Sequence, residues 1–272
     1  MPKTAPPETL LTSGLDVGAR SVKIAILSHQ GTRSAVLAKA LVRIQGRRDT
    51  RTDRGVIRES WGRVLAEAGL SAGDIDYVAS TGTPDRQTVR VGHFYQRFSH
   101  ALGARLLFPD GTAALDIGAS QIRCALLREP PEGRRYSATR LGAGNGSEVL
   151  EALAQRASVT LDEAALRAVV TLQDDLAVRA VRLLSSLTVE GKVALTGGMV
   201  LDADFVRSLW CRLLEAESGV SLLISPEAVF AGAYGAAVLA ARRFRRLSRT
   251  ADPVAADPLA QSILGIDRRA LN

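Results

Sequence analysis

The chain has 272 residues, of which 46% are hydrophobic but only 4% aromatic, and its 35 basic and 28 acidic residues leave a net charge of +7. That length supports two modest domains with aliphatic cores. Its two cysteines, Cys124 and Cys211, have no CxxC spacing, which argues against a disulfide framework or a zinc site.

No apolar run reaches the ~18 residues of a membrane span. The start, MPKTAPPETLLTS, has no apolar signal region. The expectation is a soluble, cytoplasmic protein with no membrane partner. Excess charge gathers at Arg47, Arg48, Arg51 and Arg54 and again at Arg242, Arg243, Arg245 and Arg246. No aromatic stacking residues are interleaved with these clusters, so no nucleic-acid partner is expected.

Residues 1–12 are Pro-rich and read as a disordered leader. From 14 to about 45 three strands are predicted, beginning with the hairpin LDVGARSVKIAIL at 15–27. Apolar residues run up to Asp16, Gly18 follows, then a polar turn, then a second apolar run. This is the pattern of a strand, a tight turn and a returning strand. A carboxylate at the end of a buried strand, facing turn N–H groups, suits a hydrated Mg²⁺, and the turn can approach a phosphate.

Residues 55–69 predict a helix closed by Gly69, 76–80 a short buried strand with Thr81-Gly82-Thr83 at its tip, and 93–104 either a helix or a loop leading into one. The opening phrase then returns as LDIGASQIRCALL at 115–127, with identities at Leu15/Leu115, Asp16/Asp116, Gly18/Gly118, Ala19/Ala119, Ala25/Ala125 and Leu27/Leu127. Internal similarity of this kind reports architecture. Two copies fit two lobes that each open with the same hairpin. Facing each other across a cleft, the hairpins would clamp a nucleotide triphosphate and its metal. The plainer reading is two hairpins whose aspartates cap turns.

After the EPPEGRR turn at 129–135, the Gly-rich segment LGAGNGSEVLEAL at 141–153 enters a helix. It reads equally as an anion site or a connector. Helices are predicted over 146–157, 161–187, 202–217 and 230–244, and strands over 192–198 and 220–225. The strand KVALTGG ends in Thr196-Gly197-Gly198, where bare backbone can lie beside a purine or ribose. The small-residue helix GAYGAAVLAA suits close packing between lobes. The tail from 248 reads as extended or disordered. The order is that of mixed α/β lobes, each a sheet packed with helices. The lobes are expected at 13–108 and 109–247.

The succession of two Asp-Gly hairpins, a Gly-rich connecting segment, a TGG strand and a small-residue helix resembles the acetate kinase, sugar kinase, heat-shock ATPase and actin superfamily. The stretches DYVASTG (76–82), GHFYQRFSHALGA (92–104), LDIGA (115–119), LTGGMVLD (195–202) and SPEAVFAGAYGAA (225–237) are similar to the activator ATPases of 2-hydroxyacyl-CoA dehydratases and benzoyl-CoA reductases, and to the D-subunit branch above all.

The resemblance implies a two-lobed, actin-like, ribonuclease H-like α/β fold with duplicated mixed sheets flanked by helices. It implies ATP and Mg²⁺ as ligands, and as partners either the other subunits of an acyl-CoA reductase- or dehydratase-like complex or a second copy. By position, Asp16, Gly18, Ala19 and Lys23 match the first phosphate motif, Asp116, Gly118 and Ala119 the second, and Thr196, Gly197 and Gly198 the adenosine motif. Asp16 and Asp116 would position metal and water for ATP-driven electron transfer, which in this family passes through a [4Fe–4S] cluster.

Three departures stand out. Leu141 occupies the family's cluster-cysteine position, and no cysteine lies between 147 and 191, so no cluster is expected. Ala19, with Arg20 beside it, stands where the first turn usually has Ser or Thr. The reading is therefore an ATP-binding subunit that couples or regulates such electron transfer and is degenerate in its cluster. A small-molecule kinase of the same superfamily and a non-catalytic scaffold are the alternatives.

Overall fold

In the computed structural model, described over residues 9–44, 50–82, 92–118, 121–127, 138–142 and 163–249, both apolar runs of the opening phrase are strands. They are β1 (Leu10–Val17) and β2 (Ser21–Gln30), followed by β3 (Arg33–Arg43). β1 starts at Leu10, inside the stretch expected to be disordered. The reason is pairing, since Leu10 lies opposite His29 and Thr12 opposite Tyr77, so the first residues of β1 have strand neighbours on both sides. Among the described residues no helix is long and apolar enough to cross a membrane.

The chain divides into two compact units, one formed by Met1–Gly103 with Gly232–Asn272 and the other by Ala104–Ala231. This differs from the linear division expected at 108/109, because the last described helix packs with the first unit.

The first unit has a four-stranded mixed sheet in the order β3-β2-β1-β4, where β4 (Tyr77–Gly82) runs parallel to β1. Helix α1 (Thr50–Ala68) covers one face. Its Ile57, Trp61 and Val64 bury against Leu15, Val17, Val22, Ile24 and Ile26. Helix α2 (Gln96–Leu107) follows the sheet in sequence. Thr81 and Gly82, expected in a turn, still pair with Asp16 and Val17 and so extend β4.

The second unit has a five-stranded mixed sheet in the order β7-β6-β5-β8-β9, with β5 (Ala113–Ile117), β6 (Gln121–Leu126), β7 (Ala138–Gly142), β8 (Gly191–Thr196) and β9 (Val220–Leu223). Helices α3 (Glu163–Ser186) and α4 (Ala203–Glu215) pack together. Asp174 of α3 accepts hydrogen bonds from Ser208 and Arg212 of α4. The EPPEGRR turn, the Gly-rich loop beyond Gly142 and the helix expected at 146–157 lie outside the described residues.

The last described helix, α5 (Ala231–Arg249), lies on the face of the first sheet opposite α1. Side chains alternate along a strand. Leu15 and Val17 therefore face α1, while Thr12, Gly14 and Asp16 face α5. A Cβ on Gly14 would sit 2.0 Å from the Ala233 carbonyl oxygen and 2.4 Å from the Ala237 nitrogen. Gly235 meets α2 just as closely, where a Cβ would come within 1.7 Å of the Ser99 carbonyl oxygen. The small-residue helix thus packs against β1 and α2 of the first unit.

A buried polar chain fixes the same contact. The Thr12 hydroxyl donates to the Ala237 carbonyl at 2.8 Å. With its one proton committed there, Thr12 accepts from Nε2–H of His29 at 2.8 Å, and His29 Nδ1 accepts from the Ser34 hydroxyl at 2.8 Å. This arrangement suits the neutral imidazole. Burial, aided by nearby Arg245, lowers its pKa from 6.5 to about 4.

A depressed histidine contributes stability that is fully present above pH 6.5 and is lost as pH falls toward 4. Wild type and His29→Gln should accordingly lose stability at different rates between pH 6.5 and 4, with the variant flatter in urea unfolding. Parallel curves would show that His29 is not held neutral by this network.

Candidate functional site

The two hairpins share one local construction. Turn geometry sets strand register, and it places Asp16 opposite Lys23 in one hairpin and Asp116 opposite Arg123 in the other. In each turn the glycine N–H donates back across the strands at 3.0 Å, from Gly18 to the Ser21 carbonyl and from Gly118 to the Gln121 carbonyl. Each carboxylate is then met by its cross-strand cation. Lys23 Nζ lies 3.3 Å from Asp16 Oδ2, and Arg123 Nη1 lies 3.0 Å from Asp116 Oδ2.

The duplication extends to a further strand in each unit. Residues 78–82 read VASTG and residues 193–197 read VALTG. Both segments run parallel to the first strand of their hairpin in the same register. Asp16 pairs with Thr81 as Asp116 pairs with Thr196. Both glycines have positive φ, +106° at Gly82 and +88° at Gly197, and both pack onto the strand end. A Cβ at Gly82 would meet the Val17 carbonyl oxygen at 2.2 Å. One at Gly197 would meet the Ile117 carbonyl oxygen and Asp116 Oδ1, each at 2.5 Å. The signal for this second match was present in the sequence as two similar pentapeptides.

The surroundings of the two aspartates differ. Asp16 is only 2% exposed. Beyond Lys23, Gln96 of α2 lies near enough to favour its charged form, and Nε2 of the buried His100, one helical turn further on, lies 3.8 Å from Oδ2. The start of α5 closes over the pair, because a Cβ on Gly232 would lie 2.7 Å from His100 Nε2 and 2.8 Å from Asp16 Cγ. Burial by itself raises the Asp16 pKa. Lys23 and His100, together with the hydrogen bond from Lys23 and the Gln96 side chain, outweigh that and hold the carboxyl below its ordinary value. Its other oxygen, Oδ1, is buried and has no hydrogen-bond partner. Gln96 and His100 were not among the residues expected from sequence; they came only within the stretch 92–104.

Ala19 lies in the first turn and is partly exposed, and Ala119 falls outside the described residues. Thr196 is fully buried at the end of β8. Of the two glycines after it, Gly197 is needed by Asp116 and Ile117, whereas a Cβ on Gly198 would meet nothing within 4 Å. The open backbone expected of this diglycine is therefore at Gly198 alone. Leu141 pairs with Ile122 in β7. Cys124 is buried in β6, where burial pushes its thiol pKa up to about 12, and Cys211 is exposed on α4.

Among the described residues no three His, Cys, Asp or Glu side chains converge as a metal cage. A hydrated Mg²⁺ needs none, since it binds through one or two carboxylates and takes its other ligands from phosphates and water. The unpartnered Asp16 Oδ1 fits that requirement.

The glycine geometry makes a paired prediction. Gly197→Ala combines a positive φ with a clash against Asp116 and should destabilise the protein by about 2 kcal/mol or more. Gly198→Ala should stay within about 1 kcal/mol of wild type by the same reasoning. Equal effects of the two in thermal unfolding would contradict the assigned roles.

No family model matches the chain. It is 29% identical to the D subunit of benzoyl-CoA reductase from Thauera aromatica over 88% of this chain and 96% of that protein. Among solved structures it superposes on component A of the (R)-2-hydroxyglutaryl-CoA dehydratase of Acidaminococcus fermentans with a TM-score of 0.63 at 21% identity, covering 87% of this chain and 99% of that one. The activator of the 2-hydroxyisocaproyl-CoA dehydratase from Clostridium difficile, solved with bound ADPNP, gives a TM-score of 0.68 at 18% identity over 91% and 100% of the two chains. A ROK family glucokinase from Streptomyces griseus, solved with glucose and AMPPNP, gives 0.56 at 14% identity over 85% and 99%. The chain is thus similar in sequence to the benzoyl-CoA reductase D subunit and shares the fold of the solved 2-hydroxyacyl-CoA dehydratase activators.

Proposed function

We propose that this protein binds ATP with Mg²⁺ as one component of an acyl-CoA reductase- or dehydratase-type complex and couples or regulates ATP-driven electron transfer there. The observation that carries this reading is the duplicated hairpin, with a strand-end carboxylate opposite a cation and a glycine turn beside it in each copy. Asp16 and Asp116 serve the metal and its water. Lys23 and Arg123 offset phosphate charge, and the turns at Gly18–Ala19 and Gly118–Ala119 approach the phosphates. Thr196, Gly197 and Gly198 stand on the nucleoside side, with Gly198 supplying the open backbone. Such chemistry rests on positioning and electrostatics more than on covalent help from the protein. A sugar-kinase reading draws on fold alone.

In the same reading the protein holds no [4Fe–4S] cluster in the family's manner. Leu141 stands in the cysteine position, and Cys124 is a buried thiol inside a strand. Thiolates are what hold such clusters.

Binding to the native state raises stability by mass action, about 2.7 kcal/mol at a hundredfold excess over Kd. Millimolar Mg-ATP or Mg-ADP should therefore raise the melting temperature. Asp16→Asn and Asp116→Asn should each weaken binding by about tenfold or more through loss of a charged contact. An unmoved melting temperature with no calorimetric heat would favour the scaffold alternative.

Protein purified without oxygen should contain neither iron nor acid-labile sulfide. About four irons per dimer with absorbance near ~400 nm, lost in Cys211→Ser, would restore a cluster-bearing role.

A further inference from the structure

We infer that Gln96 and His100 are positioning residues for Asp16: from one face of α2 they hold its carboxylate, with His100 on the Oδ2 side, so that Oδ1 is the oxygen presented to the cation. The inference rests on the Mg-nucleotide reading and assigns a role to a stretch, GHFYQRFSHALGA, that otherwise serves only as a family mark.

The geometry is one-sided. Lys23 Nζ and His100 Nε2 both lie toward Oδ2, at 3.3 and 3.8 Å, and Gln96, one helical turn before His100, acts on the same carboxylate. Oδ1 receives nothing. Residues four apart on a helix share a face, so Gln96 and His100 reach Asp16 together from α2. The chain leaves room for His100 by having no side chain at Gly232, where a Cβ would lie 2.7 Å from Nε2. A carboxylate is symmetric in itself. Positive and polar groups on the Oδ2 side remove that symmetry and leave Oδ1 as the unpartnered acceptor. Outer partners of this kind orient a ligand side chain and tune its affinity for a metal. In the second hairpin it is the backbone at Gly197 that abuts Asp116 Oδ1.

The test uses the full chain and calorimetric ADP affinity with Mg²⁺ and with EDTA, the ratio of the two giving the metal enhancement. His100→Leu and Gln96→Leu should each cut that enhancement by about tenfold, the usual cost of losing an outer partner, and leave the EDTA affinity unchanged. His100→Gln, which keeps an N–H donor, should retain most of it. Should His100→Leu fail to fold, Gln96→Leu at the start of α2 decides the matter alone. A wild-type enhancement that survives in the folded leucine variants, or an affinity that drops equally with and without metal, would overturn the positioning role and leave nucleotide binding standing. Absence of ADP binding by the wild-type protein in either condition would overturn the nucleotide reading and this inference with it.

Discussion

Backbone contact between α5 and β1 is the constraint on which the first unit depends. At Gly14 the strand has no side chain, and the space a Cβ would take is filled by the Ala233 carbonyl and the Ala237 amide. Helix and strand therefore approach more closely than any side chain would permit. Along β1 the same face carries Thr12, Gly14 and Asp16. Thr12 bonds the Ala237 carbonyl, Gly14 lies against Ala233 and Ala237, and Asp16 lies under Gly232. A larger residue at position 14 would lift the whole helix, and Asp16 and His100 would lose their cover along with the buried Thr12–His29–Ser34 chain.

That cover changes what a carboxylate can do. Burial alone would make Asp16 harder to ionise, and the cations and hydrogen bonds around it reverse the direction. A buried charge is tolerated when it is paired, and removing one partner of such a pair costs on the order of 3–5 kcal/mol. The first hairpin thus holds a carboxylate whose charged form is favoured in a closed setting, with one oxygen unpartnered. In the second hairpin the corresponding pair is more open, as Arg123 keeps 19% of its side-chain surface exposed. Duplication supplied the same strands, turn and charge pair twice, and the elements packed around them made the copies unequal.

Much of this was readable before any coordinates. Asp16 and Asp116 close apolar runs two residues ahead of a glycine, and the equal turns that follow set them opposite Lys23 and Arg123. The helical spacing of Val56, Ile57, Trp61, Val64 and Leu65 marks α1, and Gly69, with φ +64°, lies just past its end. The matching pentapeptides at 78–82 and 193–197 were equally visible, but pairing them requires knowing that both strands lie parallel to a hairpin strand. Gln96 and His100 carried no such signal, since a glutamine and a histidine on a helix have many uses and only their neighbours select one.

The duplication, the hairpin register and the charge pairs follow from the order of residues along the chain. These are local properties: a tight turn and a two-residue period leave few other choices. Packing settled which unit receives α5, which oxygen of Asp16 is left unpartnered, and that Gly197 serves Asp116 while Gly198 faces open space. Each of those depends on backbone segments far apart in the chain coming within van der Waals distance. A glycine permits such an approach, but the glycine alone does not say which segment makes it.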